Sequence, residues 1–335
     1  MRRLLPVLIL AIVPLAAPAA QAAPPTAEKP KLVLDLQKVG HIKRAVAFAG
    51  KSFRVRGLVY PYVAGQSVHV RVYLGKKMIM AKTKRIQPVA GGANGTFVAS
   101  FKTQLRGKMR MGVTHTRTAE MGYAHDSTSP ILVIQPEANP GDTGFTVHVL
   151  QRLLRDIGYV PGARGIYDDR TARAVVAFRK MSGLTRITTA SRTVFRRILN
   201  NGGQFEVLYP NHGHHVEADL GHQVMALIDH GKVERLYPIS SGKPSTPTVL
   251  GHYRVYLKAP GTNSHGMVHS SFFIRGYAIH GYADVPTYAA SHGCLRVPIP
   301  DAWAIYEWVQ FNDWVDTYYR TGKHRHPKPS ANAGP

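Results

Sequence analysis

Tyr277-Ala278-Ile279-His280-Gly281 and, ten residues on, Ser291-His292-Gly293-Cys294-Leu295-Arg296 hold the single cysteine of a 335-residue chain. One thiol cannot form an intrachain disulfide. In a chain that leaves the cytoplasm, an odd cysteine is either a packing accident or a reactive group. Here His280 and His292 flank it at short range, and an imidazole can take the proton that makes a thiol a nucleophile. The small residues around it leave backbone N–H groups of Gly293 and Cys294 free to face a developing oxyanion. A catalytic thiol at Cys294 is the leading reading.

The start of the chain supports export. Met1-Arg2-Arg3 is basic, Leu4 to Ala17 is apolar, and Ala20-Gln21-Ala22 offers small residues for a signal peptidase. Pro6, Pro14 and Pro18 interrupt a run already too short for a stable membrane span. Residues 1–22 therefore read as a secretory signal, with cleavage after Ala22 expected and an uncleaved anchor as the alternative. No cysteine follows the apolar run, which excludes a lipid anchor at a mature N-terminus.

Net charge is +24, and it is unevenly spread. Residues 31–136 carry 18 Lys/Arg against 3 Asp/Glu, and residues 137–205 carry 11 against 5. Residues 206–320 carry 8 against 10, so the region around the thiol is nearly neutral. The basic surface lies upstream of it. In an exported protein such a surface meets anionic wall polymers or lipid headgroups before nucleic acid.

Three textures divide the chain. Residues 31–136 alternate with period two: Val68, Val70, Val72 and Leu74 against His69, Arg71 and Tyr73, and likewise Phe97, Ala99 and Phe101. Phe53–Val59, Met109–Val113 and Ile131–Ile134 add strands. The pattern predicts an antiparallel, immunoglobulin-like β-sandwich with no catalytic residue. Residues 139–201 change to helical spacing at Val147, Leu150, Leu154 and Ile157, with Gly158 as a stop. Asp168 or Asp169 caps a second helix through Phe178, and a third spans Arg192 to Leu199. Residues 206–320 return to strands: a hairpin of Val224–Ile228 and Val233–Ile239 about Asp229-His230-Gly231-Lys232, then Tyr253–Leu257, Tyr277–His280 and Trp314–Tyr318. Ile299–Phe311 reads as an amphipathic helix. The basic, proline-containing tail 321–335 is expected to be disordered.

Two resemblances follow from these residues. Val147, Leu150-Gln151, Leu154, Gly158-Tyr159, Gly165, Tyr167-Asp168, Thr171, Ala174-Val175, Phe178 and Leu184 resemble the small three-helix peptidoglycan-binding domain of wall enzymes. The His280-Gly281 and Ser291-His292-Gly293-Cys294-Leu295-Arg296 pair resembles the signature of the L,D-transpeptidase (YkuD-like) catalytic domain. Ser240-Ser241-Gly242, Thr246-Pro247-Thr248, Gly251-His252-Tyr253 and Phe272-Phe273 extend that likeness over residues 206–320.

The second resemblance implies a mainly-β catalytic domain and an acyl-transfer reaction on peptidoglycan stem tetrapeptides. Cys294 attacks the carbonyl of the third stem residue, releases the terminal D-alanine, and the amine of a neighbouring stem resolves the thioester. It puts the base role on His280. His292, Ser291 and Gly281 orient the site, and Arg296 holds a substrate carboxylate or fixes the loop. Carbapenems are expected to acylate the thiol. No metal, organic cofactor or nucleic-acid partner is expected. The rival readings are a carboxypeptidase that resolves the same acyl-enzyme with water, and an inactive wall-binding protein.

His212, His214, His215, His222 and His230 form a histidine-rich stretch, but no carboxylate falls at ligand spacing along the sequence, so a solvated loop is expected. A histidine that precedes the cysteine also argues against papain-like thiol peptidases, in which the cysteine comes first.

Overall fold

The computed structural model describes residues 27–36 and 39–320. The signal and the tail read from the sequence lie outside them. The protein is multidomain and mainly β with four α-helices among the described residues, none long and apolar enough to cross a membrane.

The first ten strands are β1 (Lys31–Leu36), β2 (Val46–Phe48), β3 (Ser52–Tyr60), β4 (Ser67–Leu74), β5 (Lys77–Arg85), β6 (Gln87–Pro88), β7 (Gly95–Lys102), β8 (Gly107–His115), β9 (Ala124–Ser127) and β10 (Ile131–Ile134). They build two facing sheets, in the orders β1-β3-β7-β6 and β2-β10-β8-β4-β5, with β9 on the edge of β8. The alternation explains the packing. Val55, Val59, Phe97 and Phe101 point from one sheet, and Val68, Val70, Val72, Met111 and Val113 from the other, into a shared core.

Two features depart from the sequence reading. Strand β2 pairs with β10 in parallel, so the sandwich is not purely antiparallel. Strand β5, Lys77-Met78-Ile79-Met80-Ala81-Lys82-Thr83-Lys84-Arg85, was not expected because it is largely exposed. It lies at a sheet edge, where lysines blunt pairing with other chains and no apolar alternation is required.

Three helices follow: α1 (Phe145–Arg155), α2 (Asp169–Met181) and α3 (Arg192–Leu199). Asp168 caps α2, its Oδ1 accepting the Thr171 N–H at 2.8 Å. Such a cap contributes about 1 kcal/mol. The helical core is continuous with its neighbours, since Val46, Phe48 and Ile134 of the sandwich and Val224, Ile228 and Leu236 further on all join it. Phe48 packs on Phe195 with ring centroids 5.9 Å apart.

The last region has two sheets around a second core. The strands are β11 (His215–Asp219), β12 (Val224–Asp229), β13 (Lys232–Pro238), β14 (Gly251–Arg254), β15 (Leu257–Thr262), β16 (Val268–Ile274), β17 (Tyr277–Tyr282), β18 (Leu295–Pro298) and β19 (Trp314–Tyr318), with α4 (Ile299–Trp308) after β18. One sheet has the order β13-β12-β11-β19-β14 and the other β15-β16-β17-β18. Val216, Ala218, Leu227, Val315, Ile279, Leu295 and Val297 fill the space between them with Ile305 of α4. The β12–β13 turn holds His230 and Gly231 at φ 46° and 78°, the left-handed pair that a tight hairpin demands.

The expected strand Tyr253–Leu257 is instead a crossing between sheets. The Val255 N–H bonds to the Asp313 carbonyl beside the first sheet, and the next N–H, that of Tyr256, to Phe272 in the second. A one-strand reading fails because buried Val255 sits where the chain changes layers.

The helices dock firmly on this region. Arg170 and Arg173 reach Asp301 of α4 at 2.7 and 3.3 Å. The Lys180 ammonium donates to the Gln223 and Ile239 carbonyls at 3.1 and 3.0 Å. Burial, then the Arg186 charge, pushes Lys180 down to about 7.

Candidate active site

Strands β17 and β18 run parallel, with Ile279 opposite Leu295 and His280 opposite Arg296. Side chains alternate along each strand, so Ile279 and Leu295 enter the core while His280, Arg296 and Cys294 share the other face. Fourteen residues of sequence separation thus become two register positions, since Cys294 precedes Arg296, the partner of His280, by two.

The loop before β18 is tightly specified. Gly293 has φ 122°, and a Cβ there would collide with the Tyr277 ring. Both facts require glycine. Buried Ser291 builds the turn: its hydroxyl accepts the Gly293 N–H at 3.0 Å and donates to the Cys294 carbonyl at 2.7 Å. The Thr248 hydroxyl donates to the Gly293 carbonyl at 2.7 Å and accepts the Gly242 N–H at 2.9 Å. The Gln223 amide anchors Ser241, donating to its hydroxyl at 2.6 Å and accepting its N–H at 2.9 Å. Ser241 in turn accepts the N–H groups of Ala290 and Ser291, both at 2.9 Å.

The electrostatics are those of a resting neutral pair. His280 is buried, and its Nδ1 lies 2.9 Å from the Gly281 carbonyl. A carbonyl only accepts, so Nδ1 carries the proton and Nε2 keeps its lone pair. Burial lowers the His280 pKa, and the Arg296 charge lowers it further against the opposing Gly281 bond. Burial raises the Cys294 pKa, opposed by an Ala278 backbone hydrogen bond and by Arg296. The thiol contacts the Gly276 carbonyl at 3.6 Å.

The remaining expected residues divide. Arg296 shares the face of the pair and stacks on Tyr282, its Cζ 4.1 Å from the ring centre. It also lies 3.9 Å from the Asp284 carboxylate. Gly281 is hemmed in by Ala302 and Val268, which leave no room for a side chain. His292 is exposed, with Nε2 3.2 Å from the Lys243 ammonium, so it belongs to the loop's outer side. The Gly293 N–H, expected to face an oxyanion, is already bound by Ser291. Sequence reasoning did not single out Gln223, Tyr282 or Asp284, because each reaches the loop by tertiary contact without a local motif.

The histidine-rich stretch is not a solvated loop. Folding supplies carboxylates to each: His212 Nδ1 lies 3.0 Å from Asp316 of β19 and His214 2.9 Å from Asp313 in the turn before it, while His222 lies 2.7 Å from its near neighbour Asp219. His215 meets Glu217 at 3.3 Å with both side chains buried. Only His230, beside Asp229, stays exposed in a turn. The partners of His212 and His214 lie about a hundred residues away and leave no mark in the spacing, whereas Glu217, Asp219 and Asp229 stand within three residues of His215, His222 and His230.

The sequence model of the YkuD family, the L,D-transpeptidase catalytic domain, matches residues 213–317. The crystal structure of the L,D-transpeptidase from Xylanimonas cellulosilytica is 30% identical, with a TM-score of 0.50, and the match covers 55% of this chain and 98% of that one. The catalytic domain of an Enterococcus faecium L,D-transpeptidase is 27% identical over 32% of this chain and 98% of its own, with a TM-score of 0.28. No curated protein matches. The chain belongs to the L,D-transpeptidase family.

Proposed function

We propose that this chain is an exported, cysteine-dependent L,D-transpeptidase that cross-links peptidoglycan stems through an acyl-enzyme on Cys294. The observation that supports it best is the β17–β18 register, which sets a buried imidazole with a free Nε2 lone pair on the face of the only thiol.

The mechanism follows from the neutral resting pair. Because both groups are held uncharged, the thiol proton moves to His280 Nε2 as Sγ attacks the carbonyl of the third stem residue. The tetrahedral oxyanion takes the Cys294 N–H, since Gly293 has spent its own on Ser291. Collapse breaks the peptide bond, and the His280 imidazolium protonates the departing D-alanine amine. The amine of a second stem then gives its proton to His280 and attacks the thioester. A cross-link forms and the thiol returns. Arg296 contributes a fixed positive charge beside the pair and orients an anionic stem. Ser291 positions the loop.

The other units serve retention. The three-helix unit is the peptidoglycan-binding module, and the immunoglobulin-like sandwich, with its basic excess, meets anionic wall polymers. Residues 1–22 direct export to the wall or periplasm.

Purified disaccharide-tetrapeptide and mass spectrometry of the products test this reading. A cross-linked dimer supports transpeptidation. A tripeptide alone would assign a carboxypeptidase instead, and unchanged substrate would favour an inactive wall-binding protein.

A further inference from the structure

The proposed mechanism uses none of the polar groups on the outer face of the five-stranded sheet. Three of them converge. Asp316 of β19 is buried, and its two carboxylate oxygens face different imidazoles: Oδ1 lies 2.7 Å from His252 Nδ1, and Oδ2 lies 3.0 Å from His212 Nδ1. His252 stands opposite Asp316 in the β14–β19 register, while His212 comes from the turn that leads into β11. One potential ligand atom from each residue lies within 4.8 Å of the others.

The surroundings hold these donors in place. Tyr209 packs on both imidazoles, with ring centroids 4.6 Å from His252 and 5.3 Å from His212. Trp314 stacks on His212 at 4.8 Å. Buried Glu217, beside Asp316 in the sheet, accepts the Leu208 and Tyr209 N–H groups and the Tyr318 hydroxyl, and so pins the segment that carries His212. The His212 and His252 side chains are 24% and 18% exposed while that of Asp316 is 0%, so the donor cluster opens to solvent on its imidazole side.

We propose that His212, His252 and Asp316 form a zinc-binding site with an open fourth position for water. The donor set, two imidazole nitrogens and one carboxylate oxygen, suits Zn²⁺. Zinc bonds of roughly 2.0–2.1 Å at tetrahedral angles set ligand atoms about 3.3 Å apart, and the three donor atoms here lie within 4.8 Å of one another, so binding would draw them together. The ion replaces the proton shared on each Nδ1 edge, and both rings take the Nε2–H tautomer. It would clamp the segment entering the catalytic region to β14 and β19. This inference does not depend on the proposed reaction.

The test uses the full chain carrying Cys294→Ala, so that the thiol cannot compete, after removal of metals by a chelator. Calorimetry with Zn²⁺ should give one equivalent. Co²⁺ should show the strong ligand-field absorption of a four-coordinate ion without a thiolate band. Saturating zinc should raise the unfolding midpoint by roughly 5 °C. His212→Gln or His252→Gln, added singly, should each weaken binding at least about 100-fold. These histidines are chosen over Asp316, whose removal would strip both imidazoles of their acceptor. Absence of binding, or binding unchanged by both substitutions, would overturn the assignment.

Discussion

Two kinds of histidine stand around the two sheets of the catalytic region, and their partners differ. In and around the five-stranded sheet, His212, His214, His215, His222 and His252 each face a carboxylate. In the four-stranded sheet, His280 faces a carbonyl instead, and among the described residues no carboxylate pairs with it. Burial and then the Arg296 charge favour neutral imidazole at His280. A neutral imidazole at His280 can accept a thiol proton near neutral pH.

The largest effect belongs to the thiol. Cys294→Ala should abolish turnover of stem peptides while leaving retention on isolated walls intact. Measurable turnover in that variant would remove the thiol from the chemistry.

The base comes next. His280→Ala should cost about 10²–10⁴-fold in turnover, whereas exposed His292→Ala should fold and keep much of its activity. Equal or reversed losses in folded variants would erase the distinction between the carbonyl-backed histidine and its neighbours.

The pH dependence sharpens the same contrast. With the Cys294 pKa raised, thiolate accumulates only above the ordinary thiol value of about 8.5, so alkylation by iodoacetamide should climb steeply there. With the His280 pKa lowered, the imidazole stays neutral on acidification past about 6.5, so the acid limb of kcat/KM should lie below that value. A flat, fast alkylation rate from pH 5 to 8 would instead indicate a preformed thiolate–imidazolium pair.

The smallest effect concerns the basic sandwich. Replacing exposed Lys76, Lys77 and Arg85 of the sandwich by Glu should weaken wall retention, and added salt should weaken it in the intact chain, because exposed charges are screened beyond ~10 Å at about 0.1 M. Turnover of soluble stems should change little. Salt-insensitive retention would leave the helical module as the sole anchor.

The Cys294 loop was legible because its determinants are contiguous: the glycine at positive φ, the turn-building serine and the thiol all lie within four residues. The core-facing strands were legible for a similar reason, as alternation at Val68, Val70 and Val72 is local. What escaped was assembled at a distance. Edge strand β5 buries too little to alternate, the layer change at Val255 depends on a second sheet, and the carboxylates behind His212 and His214 come from β19 and the turn before it. The Gly293 N–H was misjudged because its acceptor, the Ser291 hydroxyl, is visible only once the turn closes.

The central claim is that Cys294 forms an acyl-enzyme with help from a neutral His280. Intact-mass spectrometry after carbapenem treatment tests it most directly. One covalent adduct per chain is predicted, mapped to the Cys294 peptide and absent from Cys294→Ala. A folded wild-type protein that stays unmodified while its thiol remains free and titratable would contradict the account.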